Sequence, residues 1–314
     1  MAAIEVTAPA EAVSARAARP PLARLRPLRW FYLLPALATF VVWVYEPLAH
    51  AAWLSFHEWN MLPGAPIHWV GAKNYQNILA LPKLWQALRN TGFYIVGLLP
   101  LSVLIPLAIA LWTHDLPARA RNIYRALIFV PMIVAPVVAG AVWRWLLDPG
   151  HGVVNLGLQA LGSPAVGFLS DPNWAIWTIT FITGWKLTGF STLILSAANA
   201  NLDPSLLEAA RMDGATPWQI VRHVRLPLLS STVLFLVMMT ILLGAQWSFS
   251  YINLLTQGGP LGSTNNIYYL LWDFGFSTLS VGWSSAAAML LFIGFAVLAF
   301  IMFRLIDRYS FYEH

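Results

Sequence analysis

Six long apolar stretches, at roughly 30–56, 91–112, 126–147, 174–199, 228–250 and 284–303, are separated by polar segments that hold most of the charge. A helix needs about 20 mostly apolar residues to cross the hydrocarbon core of a bilayer, and each stretch is long enough. The second, fifth and sixth hold no charged side chain. The first carries Glu46 beside Pro47 toward its far end, the third Arg144, and the fourth Lys186 near its middle. The pattern predicts an all-α polytopic membrane protein with six transmembrane helices. An even number of spans puts both termini on one side.

Composition points the same way. Of 314 residues, 59% are apolar and 10% charged, where ordinary soluble domains run near half and about a quarter. So little charge cannot cover a water-facing globule, and lipid is the solvent that remains. Sixteen Trp and ten Tyr suit the membrane interface. With no cysteine, disulfides, thiolate metal sites and cysteine nucleophiles are excluded.

The net charge of +5 is not gathered into one nucleic-acid patch but spread between the apolar blocks. Cytoplasmic termini put thirteen basic residues inside: Arg16, Arg19, Arg24, Arg26, Arg29, Arg119, Arg121, Arg125, Arg211, Arg222, Arg225, Arg304 and Arg308. Only Lys73, Lys83 and Arg89 fall outside. The positive-inside rule selects that orientation. Residues 1–29, rich in Ala, Pro and Arg, read as a disordered basic cytoplasmic tail. The apolar run after them is much longer than the roughly 7–15 residues of a signal-peptide core. Residues 57–90 and 148–173 read as external loops, and no internal repeat supports an inverted-repeat carrier.

The loop 201–227 has the grammar of two short helices. Asp203 caps the first, with Pro204 at its opening position. Gly214 stops it, since glycine enters the left-handed region without strain. Thr216-Pro217-Trp218-Gln219 then reads as a capping box opening a second helix. Leu206, Leu207 and Ala210 make one apolar stripe; Trp218, Val221 and Val224 make another; Arg211, Arg222, His223 and Arg225 form a basic side. Such a pair is either a docking element for another protein or an amphipathic pair on the lipid surface.

Candidate chemistry is sparse. A phosphate-binding loop needs Gly-Lys before Ser or Thr, but Lys73, Lys83 and Lys186 follow Ala, Pro and Trp, so this chain has no ATP-binding motif of that kind. Its seven histidines contain no HExxH and no i,i+4 pair, and no metal site is expected. Asp148 and Asp171 read as capping or turn residues. Inside the spans, Lys186 costs about 2.5–3.5 kcal/mol at a helix centre unless something offsets it. Thr183, Lys186 and Phe190 share one helix face, as do Gly244, Ser248 and Tyr251, with Gln246 and Trp247 alongside. Polar groups beside aromatic rings suit sugar recognition. The same residues also serve close helix packing and interhelical hydrogen bonding, and both readings stay open.

Two motifs carry a resemblance. Glu208-Ala209-Ala210, followed by Gly214, Val224 and Leu226-Pro227, resembles the "EAA" loop of binding-protein-dependent ABC importer permeases, with Val where the family usually has Ile. Asn253-Leu254-Leu255-Thr256-Gln257-Gly258-Gly259-Pro260 and Ser263-Thr264-Asn265-Asn266 resemble an external segment of the carbohydrate branch. Trp53-Leu54-Ser55-Phe56, Trp59-Asn60, Val70-Gly71, Asn74-Tyr75, Trp85 and Asn90 are similar to that branch as well. The resemblance covers residues 28–310 and is closest to maltose- and glycerol-3-phosphate-type permeases.

The resemblance implies a type I ABC importer permease fold over 30–310, in a bacterial inner membrane with both termini cytoplasmic. It makes 202–227 the coupling loop, with Glu208, Ala209, Ala210, Asp213, Gly214, Leu226 and Pro227 at the ATPase contact. It places the substrate pocket at Thr183, Lys186, Leu187 and Phe190 and at Gly244, Ala245 and Ser248, to which the face reading adds Gln246, Trp247 and Tyr251. The implied partners are a second permease, two ATP-binding subunits, an external solute-binding protein and membrane lipid, with no nucleic acid. ATP and magnesium belong to the partner ATPase; this chain is a transporter subunit, not an enzyme, and binds no cofactor. The transported solute is expected to be a sugar, polyol or glycerol 3-phosphate. The alternatives are a permease of the same architecture for a non-sugar solute, or a self-sufficient secondary transporter.

Overall fold

The computed structural model describes residues 26–114 and 116–309, with side chains over 31–114 and 116–305. The tail expected over 1–29 lies outside the described residues as far as residue 25; a helix begins at Arg26.

The chain divides into Met1–His50 and Ala51–His314. In the first unit, α1 (Arg26–Phe40) runs through a wide turn at Val41–Tyr45 into α2 (Glu46–Leu54). Phe31, Leu37 and Trp43 point their apolar side chains outward, as a lipid-facing helix requires.

The second unit opens with a small antiparallel ribbon, β1 (His57–Glu58) against β2 (His68–Trp69), pairing His57 with Trp69 and Glu58 with His68. Apart from this ribbon the described fold is helical, as expected. Asn74, on α3 (Lys73–Ala80), donates its Nδ2 to the carbonyls of Ser55 and His57, both at 2.9 Å, and pins the base of the ribbon. Next come α4 (Pro82–Leu99), a wide turn at Pro100–Leu104, and α5 (Ile105–His114). These form one run of 33 residues, Pro82–His114. It starts nine residues before the expected span because Pro82 can open a helix while Lys83, Arg89 and Asn90 keep its first turns polar.

The segment expected as the third span is two helices, α6 (Ala118–Ile133) and α7 (Pro136–Leu146), bent by 96°. Pro136 lacks an N–H and its ring disfavours the helical region for the residue before it. Val134 and Ala135 are accordingly extended, with ψ of 128° and 140°. After α8 (Val153–Ala160), the 29-residue α9 (Pro172–Ala200) threads the interior, packing on α4, α5, α6 and α13 (Ser230–Tyr251).

Among the described residues, four runs are long and apolar enough to cross a membrane: Phe31–Leu54, Pro82–His114, Ser230–Thr256 and Val281–Leu305. The bent α6–α7 pair makes a fifth if counted as one span. The 29 residues of α9 give it length enough to cross, yet it falls outside that set because its polar positions, among them Thr178, Thr180, Thr183 and Lys186, face other helices and not lipid.

The segment from 201 to 229 holds the two expected helical runs: α10 (Pro204–Met212), then α11 (Pro217–Ile220), which continues through a wide turn at Val221–Arg225 into α12 (Leu226–Leu228). Past α13, the stretch 256–266 is clamped from three sides. Asn90 Nδ2 donates to the carbonyls of Gly262 and Asn265 at 3.0 and 2.8 Å, Tyr94 OH to Thr264 O at 3.1 Å, and Asn266 Nδ2 to Ala245 O at 2.7 Å. The fold ends with α14 (Ile267–Trp272) and α15 (Val281–Tyr309). Ile78, Leu84, Leu270 and Ala286 form one core beneath this clamp; Tyr94, Ile179, Ile182 and Tyr251 form a second, and Val103, Leu195 and Leu236 a third.

Candidate functional site

The break between α6 and α7 opens a cavity of about 340 Å³. Met132 and Pro136 line it from the break, Thr183, Lys186 and Leu187 from α9, and Gln246, Trp247, Phe249, Ser250 and Tyr251 from the end of α13. The bend swings the chain away from α9 and leaves the flank of α9 uncovered at mid-helix. Lys186 spans the gap, its Nζ donating to Val134 O at 2.7 Å. That carbonyl caps the C-terminal, electronegative end of α6, where a cation is favoured. The burial cost noted from sequence is thereby offset.

Two polar atoms at this cavity are orphans. Thr183 Oγ1 and Tyr251 OH are buried with no hydrogen-bond partner among the described residues. Buried hydroxyls are nearly always paired, so these two stand out as unsatisfied groups beside the cavity. The other expected pocket residues sit differently. Phe190 stands edge-on to Trp247, with ring centroids 6.2 Å apart, and supports the wall from behind. Gly244, Ala245 and Ser248 turn toward the packing side. A Cβ on Gly244 would lie 3.0 Å from Leu98 Cδ1, Ala245 O accepts from Asn266, and Ser248 Oγ donates to Gly244 O at 3.0 Å. Met132, Pro136, Phe249 and Ser250 were not read from sequence. The one signal was Pro136 inside an apolar stretch, which marks a break only once the helix is known to pass α9.

The segment 203–229 shows each local device expected of it. Asp203 Oδ1 accepts from Ser205 N at 2.8 Å, and that N–H, with the Ser205 side chain, holds its carboxyl below the usual range. Ala215 N bonds to Ala210 O and Gly214 N to Arg211 O, both at 3.0 Å, the paired closure of a Schellman turn, with Gly214 at φ +77°. Thr216 and Gln219 complete the capping box. Glu208, Ala209, Asp213 and Gly214 are exposed; Ala210, Leu226 and Pro227 are half-buried. Leu207 and Ile220 anchor the segment, whereas Met212 and Trp218 are 88% and 67% exposed. Of the two expected stripes, Leu206 and Trp218 face outward.

Residues 28–310 match the family of binding-protein-dependent transport system inner membrane components. The chain belongs to that family. This permease is 29% identical to the sn-glycerol-3-phosphate transport system permease protein UgpA of Pectobacterium atrosepticum over 289 residues, covering 92% of this chain and 97% of the relative. It is also 29% identical over 255 residues to the trehalose/maltose transport system permease protein MalF of Thermococcus litoralis, covering 79% and 85%. A bacterial ABC transporter that imports the acidic polysaccharide alginate contains a chain of the same fold, with a TM-score of 0.80 at 23% identity over 91% of this chain and 98% of that one. The same fold, with a TM-score of 0.77 at 22% identity over 90% and 96%, is present in an alginate transporter solved with its pentasaccharide-bound periplasmic protein.

Proposed function

We propose that this permease moves a sugar or sugar-like solute as one of two paired membrane subunits, driven by two copies of a separate ATPase and supplied by an external solute-binding protein. In this reading α9 is the remaining span, making six, with the termini and the 203–229 segment cytoplasmic. ATP and magnesium stay with the partner.

One observation carries the proposal: two of the helices that line the cavity, α9 and α13, run directly into the coupling segment. α9 ends at Ala200, three residues before the Asp203 cap, and α13 begins at Ser230, just after Leu226–Leu228. A push on α10 therefore acts along the backbone on the helices that hold Thr183, Lys186 and Tyr251. Lys186, Gln246 and Trp247 supply hydrogen bonds and a ring face, the combination a sugar needs. The relatives named for glycerol 3-phosphate and for trehalose/maltose support the solute class.

The test is uptake into proteoliposomes holding the full complex. Accumulation of a radiolabelled sugar or polyol phosphate that requires both ATP and the binding protein is the expected result. Uptake by this chain with no ATPase present would overturn the proposal.

A further inference from the structure

A second cleft, of about 320 Å³, lies between the β1–β2 ribbon and the turn that leads into α15. It shares no lining residue with the cavity at the α6–α7 break. The ribbon follows α2, and the 273–280 turn lies beyond the far end of α13, whose other end joins the 203–229 segment.

Its lining is of two kinds. Trp59 and Trp283 offer indole faces, and Glu58, Asn60, His68 and Ser280 offer hydrogen-bonding groups. Glu58 and His68 are cross-strand partners, so both side chains leave the same face of the ribbon. Both are exposed, and neither side chain has a hydrogen-bond partner among the described residues.

The walls are fixed. Val281 N donates to Trp59 O at 3.2 Å, Asn74 ties down the carbonyl of His57, and a Cβ on Gly282 would collide with that carbonyl. Only glycine lets α15 approach the ribbon so closely, and that approach closes the floor of the cleft. The volume is at the small end of the ~300–1,000 Å³ typical of small-ligand sites.

We propose that this cleft is a binding subsite for a neutral pyranose, stacked on the indoles and hydrogen-bonded through Glu58 and His68. A free carboxylate accepts from vicinal hydroxyls, and an indole face covers the apolar side of a sugar ring. The lining holds one carboxylate and no lysine or arginine, so a phosphate monoester or a uronate meets repulsion without a compensating cation. The central cavity, which holds Lys186, is of the opposite sign. The cleft thus favours an uncharged sugar over a polyol phosphate. It also rests on groups separate from those that carry the transport reading, so the two stand or fall independently.

Saturation-transfer NMR on the full chain in lipid nanodiscs provides the test, with methyl α-glucopyranoside and glycerol 3-phosphate as probes. Transfer to the glucoside that depends on Glu58 and Trp59 is expected, and any transfer to glycerol 3-phosphate, through the central cavity, should be indifferent to both. Glu58→Gln removes one charge-assisted acceptor at an exposed position without disturbing the fold, and should weaken glucoside binding roughly tenfold. Trp59→Ala should weaken the transfer further, while Gly157→Ala, which lines neither cavity, should leave it unchanged. The proposal is overturned by no transfer in the unsubstituted chain, or by transfer insensitive to both Glu58→Gln and Trp59→Ala. It is overturned equally if those two variants lose affinity only for the solute-binding protein, which would make the cleft a protein contact.

Discussion

Lys186 and Val134, far apart in the chain, meet through a 2.7 Å hydrogen bond from the ammonium to a backbone carbonyl. The bond joins the middle of α9 to the broken end of α6 and sets the width of the central cavity. Lys186 is therefore a strut across the pocket it lines, the interhelical hydrogen bond that the sequence left open as one reading.

Removing that strut should act on structure and transport together. Lys186→Met keeps the aliphatic stem but leaves the Val134 carbonyl without its donor, a loss of about 1–3 kcal/mol. A lower melting temperature in detergent is expected, with uptake reduced more than assembly. Uptake kinetics indistinguishable from the unsubstituted protein would return Lys186 to a purely structural role.

Tyr251 makes the opposite case. Its hydroxyl is buried and unpaired, so Tyr251→Phe removes an unsatisfied group and should leave stability within about 0.5 kcal/mol or raise it. If the hydroxyl receives a solute, the apparent affinity for uptake should fall roughly tenfold, the equivalent of one hydrogen bond to a polar partner. A large loss of thermal stability with unchanged affinity would contradict the assignment.

Gly214→Val tests the coupling segment. At φ +77° a β-branched residue is strained by about 1–2 kcal/mol, and nothing lies within 4 Å of the added Cβ, so the effect is backbone strain alone. The variant should insert and assemble normally, yet lose ATP hydrolysis stimulated by the binding protein. Normal stimulation in the reconstituted complex would count against a docking role for α10.

The crossing of α6 and α9 depends on a missing side chain. A Cβ on Gly189 would sit 2.5 Å from Ile128 O and 3.2 Å from Phe129 Cα, both backbone atoms that cannot rotate away. Gly189→Ala should cost about 1–3 kcal/mol through overpacking, visible as a drop in melting temperature. Gly157→Ala, with nothing within 4 Å, is the control and should be close to neutral.

The sequence alone determined whatever depends on near neighbours along the chain. Apolar runs marked the spanning helices, because lipid rewards a continuous apolar stretch whatever it packs against. The Asp203 cap, the Gly214 turn and the Thr216–Gln219 capping box were legible for the same reason: each is closed by backbone groups within five residues. Thr183, Lys186, Gln246 and Tyr251 could be singled out because polar groups in apolar helices are costly and rare, whereas Leu187 came only from the resemblance.

Tertiary structure decided the rest. Pro136 became a 96° bend, and that bend let Met132 join the cavity wall. Gly244 and Ser248 share the helix face of Tyr251 by spacing, yet Leu98 and the Gly244 carbonyl claim them while Tyr251 is left unpaired. Likewise α9 turns Thr178, Thr180 and Thr183 toward other helices while Trp177, Phe181 and Leu193 face outward, a division that its low overall hydropathy conceals. Helix periodicity fixes which residues share a face, but only the neighbours packed around that face decide whether it meets lipid, protein or an open cavity.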